Sequence, residues 1–376
     1  MKLAFIAPGH PYRGGISHFA TRLARQLNET NECLYINFSR LYPDFLFPGK
    51  TQYDTSASAH SFPSERIIDS ISPLSWRRAG KIIQKWEVDA VIFHWWHPFF
   101  APAYRGVLSV LGKDVVRICI CHNVAPHEKG GLWKKAAKYG LGKMDGLVVH
   151  ARQETTELDS LIPNCQRITL FHPIYDIFPN EDIPKDEARS KLGLKDDDWV
   201  VLYFGLIRPY KGVEVLLKAA SMLKDIPKLK LLVVGEIYSN REEIHNLVNA
   251  LPDGMIRLVD EYVPNEEVSN WFRAADIVAL PYLSATQSGI VPIAYCCDRP
   301  VIVTRVGGLP DVVEDEISGY LIEPDNPEEL ARAIRSYFIE HNNPDMSKGI
   351  DIMRRRLSWE KYAGELMEFI DIIKGS

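Results

Sequence analysis

The chain has 376 residues, more than one ordinary domain needs, and the length points to two. Its 46% hydrophobic and 25% charged content is that of a globular protein, and a net charge of −5 gives no global attraction to nucleic acid. No run approaches the roughly 18 apolar residues of a membrane-crossing helix, and the opening run, Met1 to Pro8, is too short for a signal peptide and reads as a buried first strand. The six cysteines are scattered without paired C-x-x-C spacing, so neither a zinc site nor a disulfide framework is suggested, and a reducing cytoplasm is the simplest setting.

In chain order, short apolar runs alternate with amphipathic stretches, the pattern of βαβ units and a parallel sheet. Strands are expected over 2–7, 32–37, 90–94, 115–121, 146–150 and 167–171, and helices over 18–28, 73–86, 133–139 and 153–161. The pattern stops between Phe171 and Lys185, where Pro173, Pro179 and Pro184 interrupt it. A second series follows. Strands are expected over 199–204, 229–234, 256–258, 277–281, 301–304 and 319–322, and helices over 213–223, 241–250, 266–274, 290–297 and 327–338. The organisation is therefore α/β, with a domain over 1–178, a second over 179–356, and a last helix within 357–376 that crosses back to the first.

Three strand–loop–helix sites carry chemistry. Gly14-Gly15 follows the first strand and opens a helix, so the backbone can approach a phosphate at a helix N-terminus; the spacing is not G-x-G-x-x-G, and the nicotinamide fingerprint fails. The strand 200–204 runs into Gly205-Leu206-Ile207-Arg208-Pro209-Tyr210-Lys211-Gly212, which sets two cations at the ligand edge of a parallel sheet. Such cations would stabilise the charge that develops on a leaving diphosphate. A basic residue at a helix start is otherwise poorly placed for the helix dipole. Thr286-Gln287-Ser288-Gly289-Ile290 again joins a strand to a helix start and offers hydroxyls and backbone amides to an anion.

Phe204 to Gly212, Val233-Val234-Gly235-Glu236, Ala275 to Tyr282 and Arg299 to Pro310 together resemble glycosyltransferase family 4, a group of retaining enzymes with the GT-B fold. The resemblance implies two Rossmann-like, doubly wound domains facing an interdomain cleft that holds a nucleotide-diphosphate sugar. It implies that Arg208 and Lys211 bind the donor diphosphate, with Gly14 and Gly15 contributing from the other domain. Glu236 falls in the donor site, Tyr262 and Val263 frame the base, and the segment Ser288-Gly289-Ile290 caps the distal phosphate. His122 approaches the transferred sugar. The family commonly carries two glutamates, and their positions fall here at Ala285 and Ile293. The chain therefore belongs with an atypical subgroup, and Thr286, Gln287 and Ser288 are candidates to replace the lost contacts. The resemblance implies neither metal nor cofactor.

On the acceptor side, Trp96 and His97 lie in the run 94–100, whose aromatic faces either stack on a sugar or lipid-bearing acceptor or pack beneath loops. Asn123 follows His122, and His127-Glu128 lies in the same loop. The segment Lys129 to Tyr139 mixes lysines with Leu132, Trp133 and Tyr139 and has no acid, which suits either an anionic membrane surface or a solvated helix face. The expected role is a cytoplasmic hexosyltransferase of cell-surface polysaccharide or glycolipid synthesis, acting on a glycan, lipid-linked or small-molecule acceptor. The alternatives are a nucleotide-sugar 2-epimerase of the same fold and a non-catalytic sugar-nucleotide binder.

Overall fold

The computed structural model describes residues 1–46, 51–56, 60–123, 131–178 and 182–375. His127, Glu128 and the first two residues of the basic segment 129–139 lie outside the described residues, as does Pro179. The chain forms two compact units, the first built mainly from residues up to Phe171 and the segment from Trp359, the second from His172–Ser358.

In the first unit, β1 (Lys2–Ile6), β2 (Glu32–Arg40), β3 (Glu65–Asp69), β4 (Ala90–Trp95), β5 (Val116–Cys121), β6 (Gly146–Val149) and β7 (Gln166–Thr169) alternate with five helices. These are α1 (Gly15–Asn28), α2 (Pro73–Lys85), α3 (Ala101–Leu108), α4 (Gly131–Leu141) and α5 (Arg152–Leu161). The strands form one parallel sheet in the order β3-β2-β1-β4-β5-β6-β7. β4 and β6 are buried along their whole length, as strands covered on both faces require. Cys119 and Cys121 of β5 are buried, as small hydrophobes should be.

The second unit carries β8 (Trp199–Phe204), β9 (Leu229–Val234), β10 (Ile256–Val259), β11 (Ile277–Leu280), β12 (Val301–Thr304) and β13 (Gly319–Ile322). Its helices are α6 (Lys185–Lys191), α7 (Val213–Ser221), α8 (Arg241–Asn249), α9 (Asn265–Ala274), α10 (Ile290–Cys296), α11 (Leu309–Val312), α12 (Pro327–Arg335) and α13 (Ser347–Arg356). This sheet is also parallel, in the order β10-β9-β8-β11-β12-β13. The last helix, α14 (Trp359–Lys374), packs in the first unit, with Trp359 and Tyr362 against Phe19 of α1 at ring-centroid distances of 5.2 and 5.5 Å. Gly146 lets α14 approach β6, since a Cβ there would lie 2.4 Å from Ile373 Cδ1.

The sequence reading places the break at residue 178, and the chain passes from one unit to the other at Phe171–His172. Residues 172–178 join the second unit through their aromatic rings. His172 stacks on Tyr175 at 5.1 Å, Tyr175 stacks on Phe178 at 6.2 Å, and Tyr175 lies against Gly289.

The strand β11 begins at a buried ionic clip. Asp276 accepts from Lys185 Nζ, from Arg189 Nη2 at 2.9 Å and from the Val200 amide at 2.7 Å, which fastens α6 to β8 and β11. Arg189 and Asp276 are both buried, so removing one member strands a charge in the interior. Asp276→Ala is expected to cost about 3–5 kcal/mol in urea unfolding. An unchanged urea midpoint would show that the clip carries no stability.

Candidate active site

In the second unit the strand order reverses between β8 and β11, the switch point where open α/β sheets bind ligands. The loops that follow these two strands, 205–212 and 281–289, are tied together by one carbonyl. Tyr210 O accepts from the Leu283 amide at 2.8 Å and from the Ser284 amide at 3.3 Å. Gly212 makes that closeness possible: it has φ +63°, and a Cβ there would stand 2.0 Å from Pro281 O. On one side, the Ile207 amide donates to Glu236 O at 2.9 Å, which joins the β9 loop. On the other, the Gly308 amide donates to Thr286 O at 2.8 Å, which joins the β12 loop. Four adjacent loops are thereby held as one floor.

Arg208 and Lys211 stand on this floor. The Arg208 guanidinium lies 4.8 Å from the Tyr238 ring centroid, and its buried Nε has no hydrogen-bond partner among the described residues. The Lys211 ammonium lies 4.9 Å from the Tyr282 ring centroid and donates to Tyr282 Oη at 3.3 Å. Tyr282 Oη is 3.3 Å from Ser288 Oγ, which accepts from the Ile290 amide at 3.2 Å. The chain Lys211–Tyr282–Ser288 thus links the cation to the start of α10. Among the described residues neither cation pairs with a carboxylate. Half-buried positive charge without a counter-ion is costly unless an anion arrives.

Around these cations, Gln287 Oε1 is buried with no hydrogen-bond partner among the described residues. Thr286, Gly289 and Ile290 are half-buried, and Ser288 is buried. Glu236 is buried at the end of β9. Tyr262 and Val263 are half-buried in the loop after β10, a strand away. At the two positions where the family carries glutamates, Ala285 is half-buried beneath Gly307 and Ile293 is packed in the core.

In the first unit the order reverses between β1 and β4. Gly14, with φ +110°, ends the β1 loop, and α1 begins at Gly15. Asn37 braces that loop, accepting from the Gly9 amide at 3.1 Å and donating to His10 O at 2.9 Å. The next three strands each deliver a histidine to the same edge: His94 near the end of β4, His122 after β5 and His150 after β6. His94 Nδ1 and His122 Nε2 are 3.0 Å apart. The His122 and His150 ring centroids are 5.3 Å apart, and Phe19 meets His122 edge-on at 5.0 Å. His150 Nδ1 lies 2.8 Å from Leu170 O, a contact that fixes the proton on that nitrogen. Burial, with His150 beside it, pushes His94 down to about 3, and burial lowers His150 to about 4.

The acceptor-side candidates are placed differently. The Trp96 indole donates to Tyr42 Oη at 2.8 Å and packs against Phe100 at 4.3 Å, so this ring serves an aromatic cluster. His97 caps a short turn by accepting from the Phe99 amide at 3.1 Å, and its ring lies 5.1 Å from Trp133. Asn123 is half-buried beside His122. Sequence reasoning missed the partners of His122; the only signal was that His94, His122 and His150 each end an apolar run at equal spacing.

Two doubly wound units, each with its ligand edge at a switch point, are the GT-B arrangement of sheets. Sucrose-phosphate synthase from Thermosynechococcus elongatus has the same fold, with a TM-score of 0.74 at 19% identity and 100% of each chain covered. Anabaena HepE in complex with UDP-glucose gives a TM-score of 0.74 at 16% identity over 99% of each chain. D-inositol 3-phosphate glycosyltransferase 1 of Catenulispora acidiphila is 31% identical over 354 residues, which covers 88% of this chain and 83% of that protein. A family model described as glycosyl transferases group 1 matches residues 184–363. The protein is a glycosyltransferase, and the chain belongs to the group 1 family.

The buried histidines predict a pH dependence. Both folded values lie below the ordinary histidine value of 6.5, so unfolding takes up protons on acidification. Their contribution is intact above about pH 6.5 and is lost as pH falls toward the folded values of about 4 and about 3. Urea midpoints should therefore fall through that window in the parent. They should fall less steeply in His150→Gln, whose amide can still donate to Leu170 O. Equal slopes in the two proteins would contradict the assignment.

Proposed function

We propose that the protein transfers a sugar from a nucleotide-diphosphate donor to a hydroxyl acceptor with retention of configuration. The observation that carries this reading is the pair of cations, Arg208 and Lys211, on the clamped loops at the β8–β11 switch point, with no carboxylate partner among the described residues. The bond from the anomeric carbon to the diphosphate oxygen breaks, and a bond to the acceptor oxygen forms on the same face. The departing diphosphate oxygen takes the acceptor's proton, so no strong side-chain base is required. Arg208 and Lys211 stabilise the growing phosphate charge from fixed positions, which is where preorganised charge is most effective. The reading invokes no metal or cofactor.

On the donor side, the glycines Gly14 and Gly15 allow close approach of the backbone to a phosphate, Tyr262 and Val263 frame the base, and Gln287 Oε1 is available to accept from a sugar hydroxyl. Thr286 and Ser288 complete the replacement for the missing glutamates. His122, held by His94, orients the transferred sugar. The proposed donor is a UDP-type sugar nucleotide, supported by the HepE complex with UDP-glucose. The acceptor is a glycan, a lipid-linked sugar or a phosphorylated polyol; the last is supported by the relative named for D-inositol 3-phosphate. The proposed setting is polysaccharide or glycolipid synthesis on the cytoplasmic side of a membrane. Among the described residues no helix is long and apolar enough to cross one.

Turnover tests this directly. Arg208→Ala or Lys211→Ala should each lower kcat/KM for the sugar-nucleotide donor by about a hundredfold or more, the size expected for losing one preorganised charge. Parent-like turnover in both would overturn the diphosphate assignment. His122→Ala should likewise lose most of its turnover, and full activity would remove His122 from the mechanism.

A further inference from the structure

The helices α2, α3 and α4 lie side by side on one face of the first sheet. Glycines bring them close. A Cβ at Gly106 of α3 would stand 2.7 Å from the Trp76 ring of α2, and one at Gly140 of α4 would stand 2.9 Å from Ala101 Cβ of α3. The three therefore form one layer rather than three independent helices.

That layer carries no aspartate or glutamate in any of its helices, although the chain as a whole is acidic. On α2, Arg77, Arg78, Lys81 and Lys85 are all exposed and share a face at helical spacing, opposite the buried Ala79 and Ile83. On α4, Lys134, Lys135 and Lys138 are exposed. Between them Arg105 of α3 lies 4.9 Å from the Tyr139 ring centroid and bridges to α4. Among the described residues none of these cations has an acidic partner. The nearest acid at the start of α2, Asp69, is taken up by Arg40 and the Ile71 amide.

Beside the cations the layer shows large apolar side chains to solvent. Leu74 in the first turn of α2 is 79% exposed, Ile71 just before it is 50% exposed, and Tyr139 on α4 is 54% exposed. A soluble polyanion would engage the cations and leave these side chains in water. A bilayer engages both, since cations meet lipid headgroups while leucine and isoleucine enter the acyl boundary. We propose that the α2–α3–α4 layer is a docking surface for an anionic membrane. The described part of the basic segment, on α4, is one side of it, and α2 carries the larger share. Because α2 follows β3 and α4 follows β5, the layer runs to the strand-end edge that bears His122. On the proposed function, a lipid-linked acceptor would be presented to that edge.

The test is cosedimentation of the full chain with phosphatidylcholine vesicles, with and without phosphatidylglycerol. The parent should bind the anionic vesicles and not the neutral ones, and binding should weaken as salt rises. The triple variant R77E/R78E/K81E should lose about tenfold or more of that binding. Leu74→Asn, which removes no charge, should weaken it as well. Thermal midpoints and donor-nucleotide binding measured without vesicles should stay at parent values in these variants, which separates this inference from the catalytic reading. Equal binding to neutral vesicles, no binding to either, or charge reversal without effect would overturn the proposal. Binding to heparin together with no vesicle binding would overturn it in favour of a soluble polyanion.

Discussion

The candidate site of the second unit depends on one carbonyl. Tyr210 O takes the amides of Leu283 and Ser284 and so closes the gap between the loops after β8 and β11. In an open parallel sheet these loops would otherwise diverge, because the chain leaves the switch point in opposite directions. With the clamp in place, Lys211 reaches Tyr282, Tyr282 reaches Ser288, and Arg208 is steadied over Tyr238. The cations are thereby fixed before any ligand arrives. Gly212 is the condition for the clamp, since its left-handed backbone and the absence of a Cβ allow the two loops to touch.

The first unit uses a different device. Its edge is organised by three buried imidazoles, and burial lowers the pKa of two of them, His94 and His150. His94 is enclosed by Phe5 and Phe19, His150 is fixed by Leu170, and His122 is set between them. α14 supplies part of the enclosure through Trp359 and Tyr362, so the end of the chain sets the environment of residues at the end of β6.

The second unit was largely legible in the sequence. Its strands are short, continuously apolar and separated by amphipathic helices, so all six are expected close to their observed bounds. Arg208 and Lys211 were legible because basic residues at a helix start run against the dipole. Other elements were hidden for physical reasons. β3 is an edge strand with exposed Glu65 and Arg66, and its alternating pattern among prolines and serines carries little apolar signal. α3 has Pro102 in its first turn and follows an aromatic run, so its eight residues merge with the strand before it. α13 is dominated by charge, with Arg354, Arg355 and Arg356 in its last turn. The histidine cluster was illegible because adjacency of β4, β5 and β6 in the sheet, not proximity in sequence, brings its members together. The cationic layer is legible only in part for the same reason: the lysines of α4 stand out by themselves, whereas their continuity with α2 depends on close helix packing at Gly106 and Gly140.

The central claim is that the clamped loop with Arg208 and Lys211 reads a nucleoside diphosphate. Calorimetric titration of the full chain with UDP, UMP and uridine, repeated with the guanosine and adenosine series, addresses it most directly. The account predicts one site per chain, with the diphosphate of the preferred base bound much more tightly than its monophosphate, and that preference abolished in Lys211→Ala. Equal affinity for diphosphate and monophosphate, or a preference that survives the substitution, would contradict it.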